Sequence, residues 1–149
     1  MVQPEKNTLE TILVVEDHPI VRDAVCEILE RVGFCVLACG SGAQAIQVES
    51  LTQGAIHLLL SDVMMPGMSG PVVAQRLKQR RPQMRVMLMS GYPEGNILLV
   101  NHGWRFIEKP FLPSELVRRV TELLHSPERS PGDDRLHTRI AASAPGAGA

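Results

Sequence analysis

Short, nearly uninterrupted apolar runs recur along this chain, separated by longer stretches whose apolar positions repeat every three to four residues. The first kind suits strands buried on both faces, the second helices that bury one stripe. Residues 11–15, Thr-Ile-Leu-Val-Val, predict a central first strand. A first helix follows, with Pro19 suited to its first turn and Ile20, Val21, Ala24, Val25, Ile28, Leu29 and Val32 as its stripe. Gly33 stands just past its end. Residues 34–38 predict a second strand, and residues 43–51 a second helix. Residues 56–61 predict a third strand that leads straight into Asp62. Pro71 opens a third helix reaching about Arg80, and Pro82 punctuates its end. Residues 85–90 and 105–108 predict strands four and five. Pro113 starts a last helix with Leu116, Val117, Val120, Leu123 and Leu124 as its stripe. This order predicts an α/β fold: a parallel sheet with helices on both faces.

Two stretches break the pattern. Residues 94–104 hold four consecutive apolar positions, Ile97 to Val100, and no clean helical period, so a helix between strands four and five is in doubt. After His125 the chain turns rich in Pro, Gly, Ser and Ala. Residues 126–149 are expected to be a disordered tail, with room for a short helix at 136–142 and none for an output domain. The expected organisation is a flexible N-terminus over 1–9, one domain over 10–125, and that tail.

Composition changes this picture little. Fifteen basic against sixteen acidic residues give a net charge of -1, so bulk charge draws the chain to neither nucleic acid nor anionic membrane. No apolar run approaches the roughly 20 residues that span a bilayer, and the polar N-terminus has no signal core. The three cysteines, Cys26, Cys35 and Cys39, form no CxxC pair and read as buried small hydrophobes in a reducing cytoplasm. The five histidines lack zinc-site spacing.

Chemistry gathers at the carboxyl ends of the predicted strands, where open α/β sheets place their sites. Glu16-Asp17 follow strand one, Asp62 strand three, Ser90 strand four and Lys109 strand five. Singly, each has an ordinary explanation: Asp17 as a helix cap, Asp62 and Ser90-Gly91 as turns, Lys109 as a solvated lysine. Four at equivalent ends of successive strands is a much rarer accident. Clustered carboxylates repel and call for a divalent cation, and hard oxygen donors suit Mg2+. Asp62 is then placed as a nucleophile toward a phosphoryl group. Lys109 and the ion would offset charge on the phosphoryl oxygens, and the Ser90 hydroxyl would donate to one of them.

The runs Ile12-Leu13-Val14-Val15-Glu16-Asp17-His18, Ser61-Asp62-Val63-Met64-Met65-Pro66-Gly67-Met68-Ser69-Gly70 and Phe106-Ile107-Glu108-Lys109-Pro110-Phe111 resemble the receiver (response regulator) family of two-component signalling. The wording around Ser90-Gly91-Tyr92 and Lys109-Pro110-Phe111 is most like receivers attached to hybrid histidine kinases. The resemblance covers about residues 10–125. It implies a flavodoxin-like, doubly wound five-stranded parallel sheet in the order 2-1-3-4-5. It also implies Asp62 as phospho-acceptor, Ser90 as switch hydroxyl, Lys109 as phosphate-pairing lysine and a cis bond to Pro110. Mg2+ would be held by Asp17, Asp62 and the Met64 main-chain carbonyl, with Glu16 acting through water. Phe106 matches the family's switch aromatic, although a packed core ring explains it as well. The stretch from Ser90 to Lys109 is about one helical turn shorter than is usual in the family.

The resemblance implies a cytoplasmic phospho-acceptor rather than a conventional enzyme. Its partner would be a histidine kinase or histidine phosphotransfer protein, with no direct nucleic acid and no membrane insertion. Whether the chain is a free-standing regulator or part of a hybrid kinase stays open. A haloacid-dehalogenase-type phosphatase would need an acid/base aspartate where Met64 stands. An FMN-binding flavodoxin would need a phosphate loop where Glu16 and Asp17 stand. A receiver-shaped module that is never phosphorylated is the remaining alternative.

Overall fold

The computed structural model of the protein describes residues 9–91 and 103–127. All but the last two residues of the doubtful helix over 94–104, most of the tail and most of the N-terminal extension lie outside the described residues. The elements run β1 (Thr11–Val15), α1 (Pro19–Arg31), β2 (Cys35–Cys39), α2 (Gly42–Leu51), β3 (Leu58–Asp62), α3 (Gly70–Arg80), β4 (Arg85–Ser90), β5 (Arg105–Glu108) and α4 (Pro113–His125). All strand pairs are parallel, in the order β2-β1-β3-β4-β5. This is the doubly wound sheet that the sequence predicts.

Alternation along the strands divides the core in two. Leu13, Val15, Leu59, Val86 and Leu88 face α2 and α3, meeting Ala45, Val73, Ala74 and Leu77. Ile12, Val14, Leu58, Leu60, Met87 and Met89 face α1 and α4, meeting Val25, Cys26, Leu29, Leu116 and Val120. Because both faces are covered, the central strands read as continuous apolar runs. Burying each such side chain contributes roughly 1.5–3 kcal/mol.

The edges of several elements differ from expectation for local reasons. Phe34 donates its N–H to the Leu29 carbonyl at 3.2 Å, closing the turn at Gly33 (φ 101), so β2 begins at Cys35. Ile56 packs into the core from the loop before β3 rather than from the strand itself. The stripe of α1 is narrower than its apolar spacing implies. Ile20 is 77% exposed, Val32 52%, and Ala24 is exposed, whereas Cys26 is buried beside Val25 and Leu29. Ile20 lies in the first turn, past the end of β1, where no strand residue remains to cover it. Cys35, on the edge strand, is only half-buried, and none of the three cysteines is in a disulfide. In α4, Leu116 and Val120 are fully buried and Val117, Leu123 and Leu124 partly so.

Candidate functional site

Four of the five strands, all but β2, end by delivering polar residues to the same edge. Glu16 directly follows β1 and is almost completely buried. Its N–H donates to the Cys39 carbonyl at 3.0 Å, which ties the loop to β2. Its carboxylate accepts from the His18 N–H at 3.3 Å and from Lys109 Nζ at 2.8 Å. Asp17 comes next and is exposed. Asp62 closes β3 and is half-buried, with Oδ2 3.5 Å from the same Lys109 Nζ. Glu16, Asp17 and Asp62 each place a carboxylate oxygen within 4.8 Å of the others.

Ser90, Lys109 and Met64 also arrive at this edge, whereas Phe106 lies further back in β5, opposite Leu88. Ser90 closes β4, is buried, and stands opposite Glu108 in the parallel register. Its carbonyl accepts from the Lys109 N–H at 2.7 Å, so the hydroxyl-bearing and lysine-bearing strands are locked together there. The Lys109–Pro110 bond is cis. Met64 lies in the loop after β3 with its side chain in solvent. Phe106 is partly buried against the α2/α3 side of the core.

Electrostatics at this edge are unbalanced. Burial pushes the Asp62 carboxyl above its ordinary value of 3.8; Lys109 pulls it down, and Glu16 pushes it up again. Three carboxylates thus share one nearby ammonium. That excess of hard, negatively charged oxygen fits Mg2+, whose usual protein ligands are one or two carboxylates plus waters.

Two residues without a role in the sequence reading prove to shape the site. Gly70, first in α3, lies so close to Asp62 that a Cβ there would sit 2.1 Å from the Asp62 carbonyl oxygen. Its N–H donates to the Val63 carbonyl at 2.9 Å, and the Val63 N–H to Met89 at 2.9 Å. The backbone on both sides of Asp62 is therefore fixed, and only a residue without a side chain fits at position 70. Arg22, on α1, donates from Nη1 to the Glu16 carbonyl at 3.0 Å. A lone arginine in a helix carries no signal of a main-chain partner, whereas the glycine before Pro71 was visible but unassigned. A separate cavity of about 450 Å3 opens at the opposite sheet edge, among His57, Arg81, Arg85 and Leu124. Its single carboxylate, Glu10, leaves it unlike the site.

A flavodoxin-like sheet with this crevice is the architecture of a signalling receiver, and comparison with known proteins agrees. The response regulator receiver domain family matches residues 12–121, and the chain belongs to that family. It is 32% identical over 117 residues to the sensor kinase CckA of Brucella abortus, covering 76% of this chain and 12% of that one. A solved receiver domain from the hybrid histidine kinase CckA is similar with a TM-score of 0.68 and 33% identity, covering 77% of this chain and 99% of that one. The response regulator TrrA of Thermotoga maritima, solved in complex with Mg(2+)-BeF, matches with a TM-score of 0.68 and 27% identity, over 77% and 99% of the two chains. The chain spans 12%, 31% and 49% of three of the full-length relatives it matches. Among the described residues, no helix is long and apolar enough to cross a membrane.

Proposed function

We propose that residues 10–125 form a working phospho-acceptor unit in which Asp62 takes a phosphoryl group from a phosphohistidine. The donor is a histidine kinase or a histidine phosphotransfer protein. An Asp62 carboxylate oxygen attacks phosphorus, the N–P bond breaks, and the imidazole leaves with the electron pair. Mg2+, when bound, neutralises charge on the phosphoryl oxygens. Asp17, Asp62 and the Met64 carbonyl would hold it directly. Glu16, engaged by Lys109 and the His18 N–H, would assist through water, as the family resemblance implies. Lys109 pairs with a phosphoryl oxygen, and the Ser90 hydroxyl donates to another. Withdrawal of that hydroxyl toward Asp62 opens space beside β4 for Phe106, which changes a protein-binding surface.

On this reading the chain is a cytoplasmic signalling acceptor. It catalyses its own phosphotransfer and slow dephosphorylation, needs no nucleic acid and does not insert into membranes. The resemblance to the CckA receiver supports a hybrid-kinase setting as much as a free-standing one. The observation that carries the proposal is the convergence of the Glu16, Asp17 and Asp62 carboxylates within 4.8 Å of one another, with Lys109 reaching both Glu16 and Asp62. Incubation with acetyl phosphate and Mg2+, followed by peptide mass spectrometry, tests it. One phosphoryl group on the Asp62 peptide is the expected result. A folded protein that stays unlabelled, or is labelled elsewhere, would mean a receiver-shaped binding module instead.

A further inference from the structure

We infer that Arg22 is a positioning residue for metal binding: it holds the Glu16–Asp17 peptide by its carbonyl oxygen and sets the direction in which Asp17 leaves the sheet. The inference rests on the proposed Mg2+ site. The carbonyl of Glu16 belongs to the planar peptide that joins it to Asp17, so fixing that oxygen fixes the plane from which Asp17 departs. Arg22 Nη1 donates to it at 3.0 Å, one turn into α1. On the other side of the same residue, the Glu16 N–H is held by Cys39 at 3.0 Å. Glu16 is thus pinned at both main-chain groups and at its carboxylate. Asp17, which has no such anchor among the hydrogen bonds described, inherits its orientation from its neighbour.

Gly40 supplies an independent sign that the guanidinium has a defined seat. A Cβ at position 40 would lie 2.9 Å from Arg22 Nη1 and 3.7 Å from its Cζ. The loop after β2 therefore passes close to the guanidinium, and a side chain at position 40 would have to push it aside. The Gly40 N–H is occupied elsewhere, donating to Gln44 Oε1 at 2.7 Å, so the loop is itself anchored to α2. Arg22 consequently reaches from the loop after β1 to the side of the loop that leads into α2.

The experiment measures Mg2+ affinity of the full chain by calorimetry, with metal-free melting recorded in parallel. Arg22→Gln should weaken Mg2+ binding by about tenfold, the scale on which groups that orient metal ligands act. Phosphorylation by acetyl phosphate should fall at limiting Mg2+ and recover when Mg2+ is saturating. Arg22→Lys, which keeps a donor and a charge, should restore most of the affinity. Gly40→Ala, which displaces the guanidinium without removing it, should weaken Mg2+ binding in the wild-type background and add nothing in Arg22→Gln. A purely structural arginine would instead lower metal-free melting and leave the Mg2+ affinity of the folded fraction unchanged, which overturns the inference. So does a Gly40→Ala effect that persists in Arg22→Gln. A folded wild type that binds no Mg2+ overturns the site itself, and the clasp with it, whereas equal binding by wild type and Arg22→Gln overturns the clasp alone.

Discussion

Glu16 and Glu49 are both almost wholly buried, yet they are held in opposite ways. Glu49, in the last turn of α2, faces two arginines. Arg81 Nε lies 3.0 Å from Oε1, and Arg80 Nε lies 3.2 Å from Oε1 and 3.0 Å from Oε2. Arg81 also donates to the carbonyls of Thr52 at 2.6 Å and Gly54 at 2.7 Å, closing the end of α2. No second carboxylate competes there among the ion pairs described. Glu16 shares one lysine with Asp62, and an exposed Asp17 stands beside it. One buried carboxylate has more positive charge than it needs, and the other has less. The first arrangement fastens helices together, while the second is left short of cation and, on the proposed reading, would be completed by an ion from solution.

The contrast can be broken at the functional end first. Asp62→Asn should abolish phosphoryl labelling, as read by mass spectrometry, while metal-free stability stays level or rises because one of the crowded charges has gone. A clear loss of metal-free stability would show that Asp62 is held as firmly as Glu49. Lys109→Ala should slow labelling by about 100-fold, the scale typical of a preorganised charge on a transferring group. It should also lower metal-free stability, and added Mg2+ should restore part of that loss. At the structural end, Glu49→Gln should cost about 2 kcal/mol in chemical denaturation, since it strands buried positive charge, discounted because Arg80 is largely in water. Labelling at Asp62 should be unaffected.

The smallest effect sharpens the comparison through pH. Asp62 has its folded value raised above 3.8, chiefly by burial, so the folded state holds that proton more tightly than the unfolded chain. This contribution to stability is complete below the ordinary value and is lost as pH rises through the raised one. Metal-free wild type should therefore lose stability relative to Asp62→Asn across that window, and denaturation of both proteins at a series of pH values would measure it. Parallel curves would remove the claim that Asp62 is electrostatically strained.

The two carboxylates also differ in how far the sequence discloses them. Asp62 is legible because it ends an apolar run, and the rule that sheet sites lie at strand ends brings it to Asp17, Ser90 and Lys109. The same reasoning yields the five strands and their order through the family resemblance. Glu49 is not legible: a glutamate on an amphipathic helix reads as solvent-facing, and its partners lie 31 and 32 residues away. Arg22 is hidden for a similar reason, since its partner is a main-chain oxygen. Ile20 and Val32 fail in the other direction. Their spacing fits a buried stripe, but the ends of α1 extend beyond what the sheet covers. Periodicity reports which residues share a face, and not how long that face remains in contact.

One pairing far from the carboxylates has a practical meaning. His125, at the end of α4, lies 2.9 Å from Glu10, just before β1, so the first and last described elements meet at the edge opposite Asp62. Domains whose two ends lie side by side tolerate insertion and circular permutation well. The fold is in that sense a plug with both wires on one side. It can be spliced into a longer polypeptide, or rejoined end to end with new termini elsewhere, and still present the same open crevice on its far side.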